Sequence, residues 1–121
     1  MLSITAVLNF ENPTCLSTNV LIDGRSLGEA ENLHKKLVTD IKSIFENKFI
    51  TTDEHHTDQL MIYMALANGK SRIVCHDLSL HSQTMLELLR IYIPDIEISV
   101  DPIDDKKNDL ISIKGIGYDR A

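Results

Sequence analysis

The sequence predicts an α/β fold of the layered α+β kind, with mixed or antiparallel sheets and helices packed on one face. Three observations lead there. Two early runs rich in apolar and β-branched residues stop at turn signals: SITAVLNF before Asn12-Pro13, and LSTNVLI before Asp23-Gly24. Three longer stretches carry apolar residues at helical spacing. Two late runs, IEISV and LISI, alternate apolar with polar residues as half-buried strands do. Elements of these kinds bury their apolar faces by stacking in layers.

Ser3–Phe10 and Leu16–Ile22 are the first two strands. Leu27–Asn47 follows as a helix: Gly28 marks its start, and Leu33, Leu37, Ile41, Ile44 and Phe45 form one apolar stripe. Glu31, Lys35, Lys36, Asp40 and Lys42 take its other face. The second helix is Thr51–Asn68. Thr51-x-x-Glu54 reads as a capping box, with Asp53 and Glu54 where the helix dipole favours acids. Gly69 is expected to close it in a left-handed conformation. From Leu60 to Ala67 only Tyr63 has a polar atom, which implies burial nearly all round. Arg72–Asp77 is a short strand, and Gln83–Ile93 a third helix ended by Pro94. Ile96–Val100 and Leu110–Ile113 make a hairpin around the polar loop Asp101–Asp109. The order is β-β-α over residues 1–50, then α-β-α-β-β over 51–121, with the seam at Asn47–Thr51.

Charge narrows the function classes. The chain of 121 residues has 12 basic and 18 acidic side chains, a net charge of −6. The first 50 residues hold 5 basic and 6 acidic, the remainder 7 and 12. A protein that grips nucleic acid by a basic patch shows the opposite balance. Any polyanionic partner must therefore meet a few placed residues, or protein outside this sequence. The longest apolar stretch, Leu60–Ala67, is too short to span a bilayer, so no membrane partner is expected. Met1–Phe10 lacks the basic start of a secretory leader, and Cys15 and Cys75 fit free thiols in a reducing, intracellular setting.

Two groups of side chains could carry chemistry. His55, Asp58 and Gln59 stand at i, i+3 and i+4 of the second helix, so a ring, a carboxylate and an amide share one face near its start. They suit a ribose, a base edge or a metal-bound water, and equally a solvated first turn. The second group is Cys75-His76-Asp77 with His81. Zinc would need a fourth ligand at no recognised spacing. His81 leads into the third helix, where the positive dipole end opposes protonation of a ring and favours a phosphate. A neutral imidazole there is a nucleophile; a capping or surface histidine fits the same position.

Three segments resemble a known family. Thr52-Asp53-Glu54-His55-His56-Thr57-Asp58-Gln59-Leu60 followed by Met64-Ala65-Leu66-Ala67 is similar to the "VDE-x-x-x-DQL … MALA" segment of RNA 3′-terminal phosphate cyclases. Leu78-Ser79-Leu80-His81-Ser82-Gln83-Thr84 resembles that family's "LHTQT" segment at a matching distance. Ile4–Phe10, the Gly24–Gly28 turn and the helix after it look like its "LTALLYAE … G.ALG" stretch. The resemblance covers nearly all of the chain and corresponds to the last third of a family member. Residues 1–50 would be the end of an inserted small domain, and 51–121 the C-terminal part of the main domain.

The resemblance implies chemistry in three steps. A histidine attacks the α-phosphorus of ATP with a divalent metal (Mg or Mn), AMP passes to an RNA 3′-phosphate, and the 2′-hydroxyl closes a cyclic phosphate. It places His81 as the nucleophile and His55, Asp58 and Gln59 against the nucleotide; relatives often carry tyrosine where His55 stands. The glutamate and the RNA-gripping arginines of the family's N-terminal two thirds have no counterpart in this sequence. The implied partners are RNA 3′-phosphate ends, with an N-terminal cyclase segment or a second copy completing the site, in cytoplasm or nucleus. A non-catalytic ribosome-assembly branch of the same fold, which lacks the histidine, and an inactive remnant are the competing readings.

Overall fold

The computed structural model describes the backbone of residues 2–9, 15–22, 27–47 and 50–119, and side chains from residue 32 onward. Asn12-Pro13, Asp23-Gly24 and the side chain of Cys15 lie outside the described set. The chain divides into two compact units, residues 1–49 and 50–121.

In the first unit, strands β1 (Leu2–Asn9) and β2 (Cys15–Ile22) pair antiparallel, with Leu2 opposite Ile22 and Asn9 opposite Cys15. Helix α1 (Leu27–Glu46) packs on β2. Its expected stripe is graded: Leu33 is buried, Leu37, Ile41 and Ile44 are half-buried, and Phe45 is exposed.

The second unit is α2 (Glu54–Leu66), β3 (Asn68–His76), α3 (Leu80–Tyr92), β4 (Glu97–Pro102) and β5 (Asn108–Ile116). Its sheet is three-stranded and antiparallel in the order β3-β5-β4. The α+β expectation holds, with both helices on one face. Met61, Met64 and Ala65 of α2, Leu86 and Leu89 of α3, Cys75 of β3, and Ile111 and Ile113 of β5 form the core. Strand alternation puts Ile73, Cys75, Ile98 and Val100 on that face. The opposite face carries three cross-strand rows: Lys70, Lys114 and Glu97; Arg72, Ser112 and Ser99; Val74, Leu110 and Asp101.

Several boundaries differ from the sequence reading. The second helix starts at Glu54 with Asp53 as N-cap, because the Asp53 carboxylate accepts the amides of His55 and His56. Thr51 is drawn instead to the edge of β3, where its N–H and hydroxyl oxygen take the outward C=O and N–H of Val74. Gly69 is no helix terminator. It sits in β3 at φ 101°, which extends that strand back to Asn68. The third helix starts three residues earlier than expected, at Leu80, capped by Ser79. Burial of α2 is one-sided rather than nearly complete: Leu60, Ile62, Tyr63 and Leu66 are exposed. An unbroken apolar run has no periodicity from which to read a face.

Candidate functional site

Hydrogen bonds at both ends of α2 fix its direction. Thr51, just before it, is bonded to Val74 in the C-terminal half of β3. Its last carbonyls, of Leu66 and Ala67, accept the amides of Tyr118 and Gly117, both at 2.9 Å, beside the start of β3. α3 begins four residues after β3 ends, and β4 returns with Glu97 opposite Lys114, itself the partner of Lys70 near the start of β3. Both helices therefore run antiparallel to β3, and both N-termini stand at one end of the unit. That end gathers His55, Asp58 and Gln59 from α2, His81 from α3, and His76 at the close of β3.

Ser79 organises the start of α3. Its hydroxyl oxygen accepts the Ser82 amide at 3.2 Å, and its carbonyl accepts the Gln83 amide at 2.9 Å. The Gln83 amide group reaches back to the Leu78 carbonyl at 2.9 Å. Ser82 is buried and holds the turn to the core, while His81, the second residue of the helix, is exposed. The ring projects from a helix start whose first amides lack helical partners, an arrangement suited to an anion.

The α2 group is looser. The His55 ring lies 3.5 Å from Glu54 and is open to solvent. The Gln59 side-chain amide donates to the His55 carbonyl at 2.9 Å, one turn back. The half-buried Asp58 accepts the Gln59 backbone amide at 2.9 Å. His55 and Gln59 thus share the outer face and Asp58 flanks it. Sequence reasoning set His56 aside as a zinc ligand beside His55 and gave it no other role. It is tied into the cap, where its ring donates to Asp53 at 2.7 Å, and the carboxylate it meets is nine-tenths buried.

Sequence reasoning passed over a relay at the end of the sheet. Asn108 is fully buried opposite His76, and its amide group donates to Asp104 at 2.7 Å. The Asn108 carbonyl oxygen is then the acceptor for His76 Nδ1 at 3.2 Å, which turns His76 Nε2 outward. Asp104 also accepts the amides of Lys106 and Asn108. Desolvation pushes its carboxyl up, but the Asn108 side chain and those two amides outweigh it and hold the group below the usual carboxylate range. The link from His76 to Asn108 was invisible because it depends on strand register, whereas the Asp104 bonds are local to the loop.

A model of the family described as RNA 3′-terminal phosphate cyclase matches residues 5–98. The chain belongs to this family. It is 27% identical over 104 residues to an RNA 3′-terminal phosphate cyclase of Pyrobaculum aerophilum, an alignment covering 83% of this chain and 29% of the relative. A Desulfurococcus amylolyticus cyclase is 36% identical over 66 residues, covering 54% and 18%. A probable cyclase of Dictyostelium discoideum is 37% identical over 71 residues, covering 54% and 16%. The chain thus spans less than a third of the length of these relatives.

Among the described residues of this cyclase-family chain, no three His, Cys, Asp or Glu side chains come together as a metal site. The zinc arrangement of Cys75, His76 and His81 is absent too, since Cys75 points into the core while His76 and His81 are exposed. No helix among the described residues is long and apolar enough to cross a membrane.

Proposed function

We propose that the chain is the adenylate-accepting part of an ATP-dependent RNA 3′-phosphate cyclase, with His81 as the nucleophile. One observation carries the reading: His81 is exposed in the first turn of α3, at the end of the unit where α2 presents His55, Asp58 and Gln59. A ring nitrogen of His81 would attack the α-phosphorus of ATP; the P–N bond forms as the bond to pyrophosphate breaks. The open amides of the helix start meet the phosphate charge as it develops. His55 and Gln59 would hold the base or ribose edge, and Asp58 a ribose hydroxyl. AMP then moves to a terminal RNA 3′-phosphate, and attack of the neighbouring 2′-hydroxyl expels it and leaves the 2′,3′-cyclic phosphate. A divalent cation fits as a companion of the triphosphate, which magnesium binds readily with few protein ligands. The cell interior, cytoplasm or nucleus, supplies both ATP and RNA ends.

Labelling with α-radiolabelled ATP tests this, with the chain alone and with the N-terminal two thirds of a cyclase added. Label should map to His81 where the site is complete, be lost in acid and survive base, as a phosphoramidate does. His81→Ala should abolish it, because no neighbouring group replaces the nucleophile. Asp58→Asn should depress labelling without unfolding the chain. Label on His55 or His76, or normal labelling of His81→Ala, refutes the assignment. The chain alone should form no cyclic ends, since the sequence has no counterpart of the arginines with which the family's N-terminal two thirds would grip the reacting 3′-phosphate.

A further inference from the structure

The acidic chain hides a polarised sheet face. Lys70 and Arg72 alternate along β3 onto the face away from the helices, with Lys114 of β5 directly beside Lys70. The acids of that face, Glu97 and Asp101, stand on β4 at its far side. Glu97 pairs with Lys114 at 2.5 Å, and that bond holds its carboxyl below the usual range. Lys70 and Arg72 are exposed and form no ion pair among the described residues. Positive charge is thus collected along the β3 edge and repelling charge along the β4 edge.

We infer that this row is a track for single-stranded RNA, lying along β3 and leading towards the end that holds His81. Alternate residues of a strand are about 6.7 Å apart, close to the repeat of an extended single-stranded backbone, so Lys70 with Lys114 and then Arg72 meet successive phosphates. Beyond them the half-buried pair Val74 and Leu110 offers apolar surface to a base. His76 then presents a ring held by Asn108, a shape suited to stacking or to a base-edge hydrogen bond. The acids on β4 keep a polyanion from drifting across the sheet. A flat face fits a single strand better than a duplex, whose grooves need a protruding element. The choice of RNA as occupant rests on the cyclase reading and adds the surface that receives it.

Fluorescence anisotropy of the 121-residue chain with a fluorescein-labelled single-stranded RNA decamer at low salt tests the track. Binding should weaken with salt at a log–log slope of about −1.4, for two phosphate contacts. K70E/R72E should weaken it at least tenfold, K70R/R72K should restore it, and K35E/K36E on α1 should change it less than twofold. Circular dichroism identical to wild type confirms that the variants are folded. The track is overturned if the wild-type chain does not bind, if K35E/K36E costs as much as K70E/R72E, or if a hairpin duplex binds equally well. Adenylate labelling of His81 needs neither Lys70 nor Arg72. Loss of the track with labelling intact would therefore leave the proposed function standing, and loss of labelling with the track intact would leave the surface standing.

Discussion

Cys75 stands one residue from His76 in β3, yet the two have opposite chemistry. Its side chain is 2% exposed among core residues. Desolvation, reinforced by the charge of Asp109, pushes the thiol from its ordinary 9.0 up to about 11. A group raised in this way favours the folded state below its unfolded value, and that contribution fades as pH climbs from about 9 through 11. Native protein at pH 8 should react with a thiol reagent at Cys75 at least tenfold more slowly than urea-unfolded protein, and stability should fall off above pH 9. Fast native labelling at Cys75 would contradict its burial. The residues flanking it show how alternation assigns roles: Cys75 is sealed in the core, while His76 faces outward and is steered by Asn108.

Helix starts were legible to within a turn, and the departures have local causes. Thr51-x-x-Glu54 and Asp53 all carry cap chemistry, and three residues competed for one role. Asp53 prevails because Thr51 meets the outward-facing backbone of Val74, a partner 23 residues away in sequence. Helix ends fell within two residues of their expected places, but what closes α2 was assigned to the wrong glycine. Gly69 looked like a terminator, whereas the glycine that governs the end of α2 is Gly115, in another strand. A Cβ there would lie 2.1 Å from the Ala67 carbonyl oxygen and 2.6 Å from that of Met64. Both are backbone atoms, so relief means moving the helix off the sheet. Gly115→Ala should destabilise the second unit by about 3 kcal/mol, as overpacking does, measured by urea unfolding. Gly69→Ala meets no neighbour and is strained only by its positive φ, so it should cost less.

Over the whole chain, fold class and element order came through because strand alternation and helical stripes are local signals. The three-stranded register did not, and with it went everything that depends on cross-strand neighbours: the Asn108–His76 relay and the charged rows. The candidate site divides in the same way. His55, Asp58, Gln59 and His81 stand in two short motifs, and the topology explains how segments 22 residues apart come to one end of the unit. The cationic face was hidden by a net charge of −6, an average that says nothing about which strand bears which sign.

The position of β5 has a consequence for how the protein is made. It is the middle strand of its sheet, yet follows the other two in sequence, and β3 and β4 each pair with it alone. During synthesis β1 and β2 can close into a hairpin as soon as both emerge, whereas β3 waits for residues up to 116. Such distant pairing makes folding slow, and the apolar residues of β3, β4, α2 and α3 stay uncovered until the ribosome has read past Asn108, when a nascent chain is open to aggregation or to chaperones. A chain stopped after Lys107 should retain helical signal at most, with residues 50–107 cut rapidly by protease. Protection of those residues in the truncated chain would mean that the sheet can be seeded without its centre.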